Sequence, residues 1–289
     1  MFCSDEAVND LLRYSKVCID EIASKKEKSN DFITEQYLIF AGMISYYGFE
    51  HITAIYKAFS QSGFVNDFRT IKEFWGDDYL NNIPAFCGVN VISRSNGYVI
   101  QRDIYHLNCP NEVYGDFFEE LVHEINHCVN SAISPICKRN SLPVYRTGIS
   151  IAAIHGTYYE ARYLEEAFNT LQTAEIMNHV LSLRQYNIED ASINAVLEHL
   201  SEKKVYPFGR GYENITPEIY PLYSHPEFHR VLKANRISGD LKTIRNNFDQ
   251  IVGDGSFFQL ASSIDQAWSN KDSEQAGKAY QLVSRYVYR

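Results

Sequence analysis

Residues 121–129 read Leu-Val-His-Glu-Ile-Asn-His-Cys-Val, and this run holds the residue types best suited to chemistry. On a helix, His123 and His127 stand four residues apart and so lie one above the other on a single face. Both imidazoles can then reach one divalent ion at about 2.0–2.1 Å, which makes the pair a chelate for Zn²⁺. Glu124 lies about 100° further round the helix. That is too far to ligate comfortably but close to where a water on the ion would sit. The expected division of labour is His123 and His127 on the metal and Glu124 as general base, the requirement for hydrolysing an amide.

A third ligand must leave one coordination position open. Downstream, Tyr163-Leu-Glu-Glu-Ala-Phe-Asn-Thr-Leu-Gln-Thr173 offers Glu165 and Glu166, with Glu160 and His155 just before. As transition-state donors, Tyr145, Arg146, Tyr206 and Tyr212 are available, and the sequence singles out none of them.

The chemistry needs a frame. Apolar residues recur at helical spacing from Asp5 to about Gly63, so two or three helices are expected, with Asn30 or Asp31 capping a run from Phe32 to Tyr47. Gly48 and Gly63 read as stops, and a short helix is expected over Asn66 to Trp75. From Phe86, Val89–Ile92 and Tyr98–Tyr105 alternate around Ser95-Asn96-Gly97, which predicts a β-hairpin. Helical period then returns from Glu112 to near Ser131, with Phe117, Leu121, Ile125, Cys128 and Val129 as the apolar stripe. A loop holding Pro135 and Pro143 leads to a further helix from Tyr158 towards Leu183, and helices follow to the C-terminus. His225 and His229 read as a surface helix end beginning at Pro226; Trp75, Trp268, Tyr46-Tyr47 and Phe257-Phe258 read as core.

Over Phe86 to Asn178 the chain resembles the zincin metallopeptidases, which share the His-Glu-x-x-His helix and an upstream sheet edge that holds substrate. The metzincin continuation is absent, since Asn130 and Ile133 stand where Gly and a third His would fall. No Glu-Gly-Cys-Leu motif of the peptide deformylases occurs either. The run through Glu166 is similar to the Leu-Asn-Glu-Gly-x-Thr-Glu segment of small gluzincins, and Arg146-Thr-Gly148 to an Arg-x-Gly element between their two helices. The resemblance implies Glu166 as third zinc ligand and the strand Tyr98–Tyr105 as a substrate edge. Two departures stand out: Glu165 replaces Asn before the ligand, and Thr170 replaces the acid four residues after it. The usual carboxylate behind the ligands is thus missing or comes from elsewhere.

The fold expected is α+β and predominantly helical: a zincin-like core with a small sheet and an active-site helix, between flanking helical segments. Its segments would be an N-terminal helical part (1–85), a catalytic core (86–183) and a C-terminal helical subdomain (184–289). The formal net charge of -9 disfavours phosphate backbones, so a peptide or protein substrate is expected and nucleic acid is not. Six cysteines without a Cys-x-x-Cys pair read as reduced thiols. The acidic N-terminus lacks the features of a secretion signal, and the most apolar stretch, Tyr37 to Tyr47, is too short to span a bilayer. A cytoplasmic location, or export by another route, is the matching expectation. Two alternatives share these residues: a catalytically silent zincin-like binding or regulatory protein with structural zinc, and an effector or toxin protease with one macromolecular target.

Overall fold

The computed structural model describes residues 4–25, 32–65, 85–94, 97–106, 114–139, 142–153, 159–200 and 216–269, together with 274, 277 and 278. Among them the fold is α+β and mostly helical. The chain divides into two compact units, Met1–Val129 with Glu175–Val205, and Asn130–Ala174 with Tyr206–Arg289. These boundaries do not coincide with the three segments expected above.

The first unit opens with helices α1 (Asp5–Ser24), α2 (Ile33–Tyr47) and α3 (Ile52–Gln61). Ser4 caps α1 by accepting from the Ala7 amide at 3.2 Å. Eleven of the fifteen residues of α2 are buried, so this helix is apolar nearly all round and runs through the interior. Gly48, at φ 100°, ends it as expected. The candidate caps Asn30 and Asp31 and the segment 66–75 lie outside the described residues. Gly42 lets α2 come close to the last turns of the helix that ends at Ser182, because a Cβ there would stand 2.5 Å from the Val180 side chain.

The hairpin forms where its alternation predicted, with β2 (Ala85–Arg94) antiparallel to β3 (Gly97–His106) and Arg94 opposite Gly97. A third strand, β1 (Ser62–Val65), joins in parallel to Arg102–Tyr105, giving the order β1-β3-β2. The strand expected to offer a free edge to substrate is therefore the central one. β1 escaped the sequence reading because Ser-Gly-Phe-Val is too short to alternate and its glycine reads as a stop. Helix α4 (Tyr114–Val129) follows. The unit closes with the end of a long helix and α6 (Ala191–His199), which Asp190 caps.

The second unit begins with β4 (Ser131–Arg139), β5 (Leu142–Thr147), β6 (Ser150–Ala153) and β7 (Tyr159–Glu160), an antiparallel sheet in that order. A loop was expected over Pro135 and Pro143, and one small sheet in all; the fold has two. The prolines account for the miss. The β4–β5 register breaks between Ser134 and Arg139, around the residue that cannot donate to the ladder. The long helix α5 (Arg162–Ser182) comes next, its first turns belonging to this unit. Helices α7 (Thr216–Tyr223), α8 (Pro226–Ser238), α9 (Leu241–Val252) and α10 (Ser256–Ser269) complete it.

Leu164, Phe168 and Leu171 of α5 share one core with Phe228, Leu232, Phe248, Phe257 and Ile264 of those C-terminal helices. The expected C-terminal subdomain is thus fused to the start of α5. Pro226 begins α8 as read, and half-buried His229 packs its ring on Tyr223 at 5.0 Å. Tyr46 and Tyr47 are core, but Phe258 is exposed and lies under Arg245. Among the described helices none is long and apolar enough to cross a membrane.

Candidate metal centre

All five residues of the expected stripe on α4 are buried, from Phe117 to Val129. Burial runs further round than one face, since Phe118, Val122, Glu124, Asn126 and His127 are buried too. His123 is half-buried. The Nε2 atoms of His123 and His127 lie 3.1 Å apart, with ring centroids at 4.7 Å. Two nitrogens held about 2.0–2.1 Å from one tetrahedral ion are separated by roughly 3.3 Å, so the pair fits a shared zinc. The same spacing also admits an N–H···N bond between rings of opposite tautomer. Asn126, on the next face of α4, fixes the rotation of the helix. Its buried Oδ1 accepts from the Tyr47 hydroxyl of α2 at 2.6 Å.

Three interactions fix the start of α5. Ala161 enters it at φ 59°, a left-handed conformation uncommon for a residue with a side chain. Asp265 of α10 then accepts from the amides of Arg162 at 3.3 Å and Tyr163 at 3.1 Å, capping the helix from another element. Burial pushes the Asp265 carboxyl up from its ordinary value, and those amides pull it back. In the first turn, Glu165 accepts from the Ile149 amide at 2.8 Å and forms a buried ion pair with Arg236 of α8. Arg236 is fully buried and also donates to Asn169 at 2.9 Å and to Gln172.

Arg146 belongs to the same network. It donates to the carbonyls of Gly148 at 2.7 Å and Arg236 at 2.8 Å, so its known bonds are structural ones. Gly148 sits at φ 55° in the β5–β6 turn, and a Cβ there would overlap the Glu165 carboxylate.

These bonds separate two of the rivals for the third ligand position. Glu165 is engaged by Arg236, and Glu166 is half-buried on the neighbouring face. The side chains of Glu160 and Tyr145, and residues His155, Tyr206 and Tyr212, lie outside the described residues. Among the described residues His123 and His127 bring two metal-ligating nitrogens together within the first unit. Glu166 belongs to the second unit. Two imidazoles with one carboxylate would suit zinc in an open site. Thr170, one turn beyond Glu166, is buried, and its Oγ1 has no hydrogen-bond partner.

Arg236, Asn169, Gln172 and Asp265 were not anticipated. A partial signal existed, because Glu165, Asn169 and Gln172 recur at helical spacing along a helix otherwise rich in Ala, Leu and Phe. No protein-family model, no curated protein and no solved structure matches the chain.

Proposed function

We propose that the chain is a zinc-dependent metallopeptidase of gluzincin type, with His123, His127 and Glu166 holding the metal and Glu124 as general base. The observation that carries this reading is the 3.1 Å separation of two imidazole nitrogens on one helix face, with a carboxylate one residue after the first. When bound, zinc supplies a water whose pKa is lowered to about 7 and polarises the scissile carbonyl.

The rest is the work of the chain. Glu124 takes the proton from the attacking water and delivers it to the leaving amine nitrogen, so one carboxylate serves as base and then as acid. Its burial keeps competing water away from that transfer. Arg236 withholds Glu165 from the metal, which leaves Glu166 as the carboxylate of the donor set. Substrate is a peptide or protein in this reading.

The test is Glu124→Gln. Zinc should stay bound while hydrolysis of a diverse peptide library falls by at least about 100-fold, the lower range for losing a general base. Zinc binding without turnover in either protein would favour a structural metal in a binding protein instead.

A further inference from the structure

Arg236 comes from α8 in the second unit, 71 residues after Glu165 of α5, and is fully buried. Its guanidinium spans three positions of one α5 face: Glu165, Asn169 and Gln172. An arginine fork fixes planar direction as well as distance, so it sets the rotation of α5 about its axis. The Glu165 carboxylate is also held by the Ile149 amide, and Arg146 in turn binds the backbone carbonyl of Arg236. Glu166 is the next residue, about 100° round the same helix. Whatever fixes Glu165 therefore fixes the direction in which Glu166 leaves the backbone.

Stability alone is a weak explanation for such a pair. Replacing a buried ion pair by neutral groups of similar volume is often neutral or stabilising, so stability alone does not account for it. We infer that Arg236, acting through Glu165, is a positioning residue that aims the Glu166 carboxylate for metal binding. This rests on the metal-centre reading above.

The experiment is a zinc-affinity cycle on the full-length chain, read by competition with a chromophoric chelator. Wild type and the charge-neutral pair Glu165→Gln/Arg236→Met are compared, each with Glu166 intact and with Glu166→Gln. Far-ultraviolet circular dichroism and thermal unfolding of the metal-free proteins establish that each is folded. With Glu166 present, the neutral pair should weaken zinc binding by about tenfold or more, the range seen when groups behind a metal ligand are removed. With Glu166→Gln, the same pair should cost less than about twofold, because the residue acted upon is gone.

Equal losses in both backgrounds, or unchanged affinity in the folded pair variant, would overturn the positioning role. Should the neutral pair fail to fold, Arg236→Lys is put through the same cycle, since a lysine keeps the charge but cannot reach all three partners at once. Unaltered zinc binding on Glu166→Gln alone would instead sink the metal-centre reading, so the two failures are told apart.

Discussion

Gly148 and Glu165 stand against each other: the glycine, at φ 55°, leaves the space that the buried carboxylate fills beside the Ile149 amide, where a Cβ would overlap it. The β5–β6 turn and the first turn of α5 are thereby joined, and Arg236 closes the junction from α8. Glu166 leaves the backbone one residue later.

Gly148→Ala is expected to lower unfolding free energy by more than about 2 kcal/mol. The left-handed conformation alone costs about 1–2 kcal/mol with a Cβ, and displacement of a buried ion pair adds to it. Urea denaturation of the metal-free protein measures the loss. A change within about 0.5 kcal/mol, as at ordinary surface sites, would show that the junction yields easily.

Tyr47→Phe is expected to cost about 1–2 kcal/mol, since the buried Asn126 Oδ1 loses the hydroxyl that donates to it. Because Asn126 sits between His123 and His127 on α4, the same change should also loosen zinc binding, and hydrogen exchange resolved by segment should rise along α4.

How far the sequence led depends on the range of the interaction. The juxtaposed histidines on α4 and the hairpin before them were readable, because spacing along one helix and alternation beside Asn96-Gly97 are local signals. Spacing alone left Glu160, Glu165 and Glu166 as rivals and only the resemblance pointed to Glu166, since what engages Glu165 is Arg236, 71 positions away. The second sheet was hidden by Pro135 and Pro143, which read as loop and in fact fall where the β4–β5 ladder is irregular or barely begun. The central place of β3 likewise depends on a four-residue partner far upstream.

Acid stability offers an independent check on the first unit. Asp190 caps α6 and pairs with Lys16 of α1 at 2.8 Å, and the bonds from Lys16 and Ser192 pull its carboxyl down to about 2. A carboxyl depressed on folding stabilises the fold above its ordinary pKa, and that contribution disappears as pH falls from about 4 to about 2. Asp190→Asn should therefore be about 1 kcal/mol less stable than wild type at pH 7, a figure discounted for partial solvent exposure, with the two converging near pH 2. Thermal melts across that range measure the difference; a gap that persists at low pH would point to lost capping rather than lost charge.

The most direct measurement is zinc binding by the metal-free protein, followed by X-ray absorption at the zinc edge. The account predicts one zinc per chain, two imidazole nitrogens and a carboxylate oxygen at about 2.0–2.2 Å, and a loss beyond about 100-fold on His123→Ala, more than outer groups cost. A chain that takes up no stoichiometric zinc, or binds it as tightly without the His123 ring, would contradict it.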